Sequence, residues 1–280
     1  MSGQQRFGPS LEFQFKVAII GTIVSLISAL SGCQTDGTSK EVENTVLESQ
    51  RQIIREALDS GKPEAALSSL RYLIRQYPQD PVMHNLMGLT QLSLRNNQRA
   101  VKEFQIAYKL DKQVATGLNL SSALISAGEL SRAIKLLNQL LTDAEQQNYA
   151  YKERLFHNLG YAYSKDRMPN QAETWYKRAL EENPTFFLSH LELAHIYEVS
   201  NRHQLAIQAY QKAIDFCTVC FEPVQSLSSL YVRSGRSSEA RKLLAKYGKV
   251  EGITQDDKTK AKSLYSQLSS AEDVRVGKGG

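Results

Sequence analysis

Three cysteines and five histidines are the residues of this 280-residue chain whose chemistry could reach beyond packing. Cys217 and Cys220 stand as Cys-Thr-Val-Cys, a spacing that allows a disulfide, a redox pair or half of a zinc site. A zinc site needs about four ligands, and the sequence holds no second cysteine pair. His190 and His195 lie just upstream, but five residues apart they do not share one helical face. His84, His157 and His203 are scattered, so no metal ligand set is expected. A redox pair of this kind opens a helix that follows a strand, whereas this one lies between helical segments. The reading that remains is a disulfide across Cys217 and Cys220, with two free thiols as its alternative. Such a small loop would stabilise the fold only modestly in the chain-entropy account. No G-x-S-x-G, H-E-x-x-H or phosphate-loop pattern occurs. No catalytic residue and no cofactor is assigned, and the chain is not expected to be an enzyme.

The elements that carry these residues repeat. In residues 156–184 the chain places Leu159-Gly160, Tyr163, Ala172, Tyr176, Ala179-Leu180 and Pro184 at fixed offsets, with Asn170 and Gln171 at the turn before Ala172. Gly160 and Ala172 suit the close contact of two antiparallel helices. Leu159, Tyr163, Tyr176 and Leu180 would fill the space toward the next pair, and Pro184 would end the second helix. Anchoring on the small residue gives Ala66, Ala100, Ala133, Ala172, Ala206 and Ala240, at gaps of 34, 33, 39, 34 and 34. This pattern resembles the tetratricopeptide repeat, a helix-turn-helix unit of about 34 residues. One such unit cannot bury its own apolar face, so its neighbours must stack upon it.

The resemblance implies an all-α fold, a right-handed superhelical solenoid of about six repeats. These cover 47–254, as 47–80, 81–114, 114–147, 153–186, 187–220 and 221–254. The first is degenerate, with Ile54 where glycine is usual, and turns at Gly61 and Pro63. Gly128 and Gly235 belong to the patterns of the third and sixth repeats. Five extra residues near 146–151 would lengthen the third repeat's second helix or the loop after it. Residues 255–270 read as a capping helix with Ala261, Leu264, Tyr265 and Leu268 on one side, and 271–280 as a disordered tail. No period-two alternation suggests a strand.

In arrays of this family the first helix of each repeat lines a concave groove. Carried onto this chain, the groove positions are Val82, Asn85, Leu89, Leu92, Ala115, Leu118, Ser122 and Ile125 in the second and third repeats. Arg154, His157, Tyr161, Leu188, Leu191 and His195 occupy them in the fourth and fifth. Such a surface suits an extended or helical peptide. Tyr161 and Ser122 stand where carboxylate-clamping members carry asparagine, which disfavours that role.

The N-terminus differs in kind. Arg6 and Lys16 flank a polar start, and residues 17–30 are almost wholly apolar. That run is shorter than the roughly 20 residues a membrane span needs and fits a signal-peptide core. It ends in Leu30-Ser31-Gly32-Cys33, which resembles a bacterial lipobox. Residues 1–32 would then be removed, Cys33 lipidated, and residues 33–46 left as a polar tether reaching at most about 45 Å. An uncleaved signal anchor, or an ordinary cleavage site after small residues, is the alternative. Gln34 after the lipidated position resembles the rule for transfer to the outer membrane, which would leave the chain lipid-anchored and facing the periplasm. A net charge of +5 is spread over mixed surfaces with no basic run, so nucleic-acid binding is not expected.

Together, the lipoprotein signal, six repeats, a cap and a late cysteine pair resemble the outer-membrane pilotins of type IV pilus systems. These are tetratricopeptide lipoproteins needed for secretin assembly and, in some bacteria, for social gliding motility. That resemblance implies a secretin subunit as protein partner. A periplasmic adaptor for cell-wall, envelope-assembly or polysaccharide-export proteins would use the same anchor and groove.

Overall fold

The computed structural model describes residues 36–276, with side chains from 41 to 269. The signal peptide expected at 1–32, Cys33, and residues 277–280 lie outside the described residues. Thirteen helices and no strand occupy the described residues: α1 Asp36–Asp59, α2 Pro63–Gln76, α3 Pro81–Ser93, α4 Asn97–Asp111, α5 Val114–Ser126, α6 Leu130–Gln146, α7 Lys152–Lys165, α8 Pro169–Glu182, α9 Phe187–Val199, α10 His203–Phe216, α11 Phe221–Arg233, α12 Ser237–Tyr247 and α13 Gln255–Val276. The chain divides into two compact units, one ending at Ala133 and one beginning at Ile134, so the division falls inside α6.

Each helix pair turns in the same way. The residue five positions before the anchoring alanine takes a positive φ: Gly61 (67°), Arg95 (60°), Gly128 (79°), Arg167 (61°), Asn201 (57°) and Gly235 (73°). The next amide then reaches back to a carbonyl of the finished helix. Examples are Asn96 N to Gln91 O at 2.8 Å, Met168 N to Tyr163 O at 2.9 Å and Arg202 N to Tyr197 O at 2.7 Å. This is the Schellman closure of a helix C-terminus, which satisfies carbonyls left over by the last turn. Glycine occupies it without strain; Arg95 and Arg167 hold it against the usual penalty for a side chain there.

In the first unit α1 to α5 stack as successive hairpins. Leu47, Ile54, Ala57, Ala66, Leu70, Leu73, Met83, Leu86 and Met87 form one buried cluster. Residues 36–46, which fall in the polar tether read from the sequence, are the first turns of α1. Beyond Gly37 they contain no helix breaker and several good helix formers, and Tyr77 Oη donates to the Glu43 carboxylate at 2.8 Å. Burial and that carboxylate push the Tyr77 phenol up to about 12. Asp80 caps α3 by accepting from Val82 N at 2.8 Å and also pairs with Arg51 of α1.

In the second unit α7 to α12 form three hairpins around a core that includes Tyr176, Leu191, Leu193, Ala194, Tyr210, Leu227 and Leu230. The five extra residues go to both expected places: α6 extends to Gln146, and residues 147–151 connect it to α7. The α13 helix packs on the last hairpin through Ala261 and the partly buried Leu264. It runs to Val276, so residues 271–276, expected as part of a disordered tail, are helical. Tyr265, expected on the packed side, is 41% exposed.

Side-chain size is matched between the two helices of a repeat at an offset of sixteen residues. A Cβ built on Gly88 would lie 2.7 Å from the Phe104 ring, and one on Gly160 2.7 Å from the Tyr176 ring. Both rings are fully buried. The fifth repeat pairs Ala194 with Tyr210. Where the first helix carries a larger residue, the second carries leucine: Ile54 with Leu70 and Ser228 with Leu244.

Candidate partner-binding surfaces

The first unit offers one face of α3. Val82, Asn85, Leu89 and Leu92 recur at helical spacing along it and are half-buried. Asn119 of α5 donates its amide to Asn85 Oδ1 at 2.9 Å, which links the two first helices side by side. Ser122 is half-buried beside it and donates to Leu118 O at 3.1 Å. Leu118 and Ile125, expected on the groove, are buried at 9% and 5% exposure. Most of the circumference of α5 is buried, from Val114, Thr116 and Gly117 through Leu120, Ser121, Ala123 and Leu124. The usable strip is therefore Val82, Leu89 and Leu92 beside a pair of carboxamides. Apolar contact and backbone hydrogen bonding to a bound peptide are available together.

The second unit departs further from expectation. Leu191 is 2% exposed and belongs to the core. His157 is wedged between Tyr176 and Phe186, each 5.3 Å from its ring, and shares a hydrogen bond with Ser189 at 3.0 Å. Burial lowers its imidazole to about 4, only partly offset by Glu192, so it is neutral near pH 7. It joins α7 to α9 rather than waiting for a ligand. Tyr161 packs on the core with Lys165 Nζ 4.8 Å from its ring centre. His195 keeps more access. Its Nδ1 is 3.8 Å from Glu192, and that partner raises it despite burial.

Two further residues share the His195 face of α9. Leu188 is 37% exposed and Val199 85% exposed, and their spacing of i, i+7 and i+11 with His195 puts them in one line. Val199 escaped sequence reading because an apolar residue at a helix end looks like packing. Arg154 of α7 is exposed and lies 5.0 Å from the centre of the Tyr151 ring.

Cys217 and Cys220 are joined by a disulfide, with their Cα atoms 5.4 Å apart. They are the first and fourth residues of a turn, closed by Cys220 N to Cys217 O at 3.2 Å. The same turn recurs as Asp80 N to Tyr77 O at 3.2 Å and Phe186 N to Asn183 O at 3.1 Å. Those two carry Pro78 and Pro184 at the second position, where this one has Thr218. The cross-link thus stiffens the one turn of the three that lacks proline. Val219 within it accepts from Tyr247 Oη at 2.8 Å, tying the turn to α12. His84 and His190 clamp the other two turns: their Nε2 atoms donate to Pro78 O at 3.1 Å and Pro184 O at 2.9 Å. No cluster able to hold a metal occurs among the described residues.

Residues 51–115 and 157–218 match the family model of the tetratricopeptide repeat. Those two segments carry tetratricopeptide repeats. The helical hairpins within each unit are of that all-α class, and solved structures share the fold. PilF of Pseudomonas aeruginosa aligns with a TM-score of 0.57 at 16% identity, over 80% of this chain and 96% of that one. PilW, described as a widely conserved type IV pilus biogenesis factor, aligns with a TM-score of 0.60 at 16% identity, over 76% of this chain and 96% of its own. Identity this low speaks for the fold. Among curated proteins, the human antiviral innate immune response effector IFIT1 is 30% identical over 108 residues. That match spans 36% of this chain and only 22% of the human protein.

Proposed function

We propose that this protein is an outer-membrane lipoprotein that acts as an assembly factor, or pilotin, for the secretin of a type IV pilus. Repeats of this family serve protein–protein contact, and no catalytic motif accompanies them here. The observation that carries the pilus reading is the likeness of fold over 96% of PilW, whose description is type IV pilus biogenesis. The apolar run of residues 17–30 ending in Leu-Ser-Gly-Cys33 supports the anchor. Two or three acyl chains at Cys33 would hold the chain to the membrane where a single chain binds only marginally. The repeats would then keep a secretin subunit at the inner leaflet until it multimerises.

The test is affinity capture from envelopes with the native protein and with a Leu89→Glu, Leu92→Glu variant. Both positions are half-buried surface, and a buried carboxylate at an interface centre weakens binding by roughly 30-fold or more. A secretin that dominates the native capture and vanishes from the variant supports the proposal. Cell-wall, envelope-assembly or polysaccharide-export proteins in its place would move the function to a periplasmic adaptor. Fractionation of Cys33→Ser tests the anchor separately: release from the membrane fraction is expected, and retention would refute lipidation.

A further inference from the structure

The last hairpin and the C-terminal helix enclose a cleft that the groove reading leaves unused. It holds about 360 Å³ between α12 and α13. Its floor is apolar, formed by buried Leu244 and Ala261, by Ala245 and by the half-exposed ring of Tyr265. Gly248 at the end of α12 presents no side chain and leaves the wall open. The rim carries Lys249, Lys258 and Lys262, all exposed and none in an ion pair among the described residues.

Size and charge together narrow what fits. The floor is one helical turn on each side, about 5.4 Å of helix, so it takes one or two apolar side chains and not an extended acyl chain. The positive charge is local. Glu251, Asp256 and Asp257 flank the lysines, and Lys260 is already held by Asp256 at 2.5 Å. A bilayer responds to charge summed over roughly 8 Å and more, and over that span Glu251, Asp256 and Asp257 offset part of the charge of Lys246, Lys249, Lys258, Lys260 and Lys262. An apolar group seated on the floor brings a carboxylate attached to it up to the lysine rim. The chemistry that matches is a carboxylate joined directly to a short apolar group.

We propose that this cleft binds the carboxyl-terminal end of a partner protein chain whose last residues are large and apolar. This is independent of which protein occupies the groove and of the lipid anchor, because no residue of the cleft belongs to either.

The experiment measures binding of a fluorescein-labelled peptide ending in Ala-Leu-Phe to the full chain by anisotropy, beside the same peptide with a C-terminal amide. The free carboxylate is expected to bind, and the amide roughly tenfold more weakly, as expected from losing several exposed charge contacts. Lys258→Gln with Lys262→Gln is expected to reproduce that loss without moving the unfolding midpoint. Gly248→Leu fills the cleft and is expected to abolish binding. Raising the salt from 0.05 to 0.5 M is expected to weaken the carboxylate peptide and not the amide. Equal binding of amide and carboxylate overturns the proposal, as does indifference to the lysine substitutions or no peptide binding at millimolar concentration. Decanoate or anionic phosphatidylglycerol vesicles binding through these lysines while the peptide does not would also overturn it, assigning the cleft to lipid.

Discussion

Gly160→Ala adds one methyl group where the fourth repeat has no room for it. The new Cβ would lie 2.7 Å from Cδ1 and Cε1 of Tyr176, against 3.4–4 Å for an ordinary contact. The ring cannot retreat: it is fully buried, with His157 5.3 Å away on one side. Overpacking of this kind costs roughly 1–3 kcal/mol, and the better helix propensity of alanine returns about 1 kcal/mol. A net loss of about 1 kcal/mol is expected, or some 2–4 °C in Tm for a chain of this size. Trp175, the sequence's one tryptophan, sits next to Tyr176 and stacks on Phe156 at 5.9 Å. Its fluorescence therefore reports this repeat during urea unfolding. The decisive measurement repeats the substitution in a Tyr176→Leu background, since leucine is what the chain places opposite Ile54 and Ser228. There the clash is gone and Gly160→Ala is expected to stabilise by up to about 1 kcal/mol. If the sign does not reverse, ring contact is not why glycine stands there.

Replacing Cys217 and Cys220 with serine is expected to lower stability by about 1–2 kcal/mol, since the closed loop is short. Adding Thr218→Pro should restore roughly 0.4–1 kcal/mol by stiffening the turn as Pro78 and Pro184 do; chemical denaturation of the three proteins checks both. Burial depresses the His157 pKa to about 4 in the folded chain, below the ~6.5 of an unfolded histidine. Its neutral form therefore favours folding above pH ~6.5, and that contribution, at most about 3 kcal/mol, is lost as pH falls toward 4. Urea midpoints at pH 7 and 4.5 should show the loss, and His157→Gln should flatten it. At Arg167, where φ is +61°, glycine is expected to raise stability by up to about 1 kcal/mol. An unchanged or lower thermal midpoint there would mean the arginine side chain contributes more than the turn costs.

The spacing of six alanines was enough to define the helical array, because a repeat that cannot bury its own face must impose the same small and large residues at each contact. The turn geometry was only half legible. Gly61, Gly128 and Gly235 announce a left-handed residue by type, whereas Arg95, Arg167 and Asn201 adopt it because the closing hydrogen bonds demand it. Exposure was least legible. Helical register places Leu118, Ile125 and Leu191 at groove positions, yet burial depends on how neighbouring helices pack onto them, and that packing covered all three while leaving Val199 bare. His157 shows the same dependence, since its neutral state comes from Phe186 and Tyr176, which only the stacking of repeats brings to its ring. The lysine cleft likewise exists because α13 folds back against α12, bringing together residues from two helices and the bend between them. Local pattern is written into the chain within one helix; what a side chain can touch from outside is decided by how successive helices and repeats pack on one another.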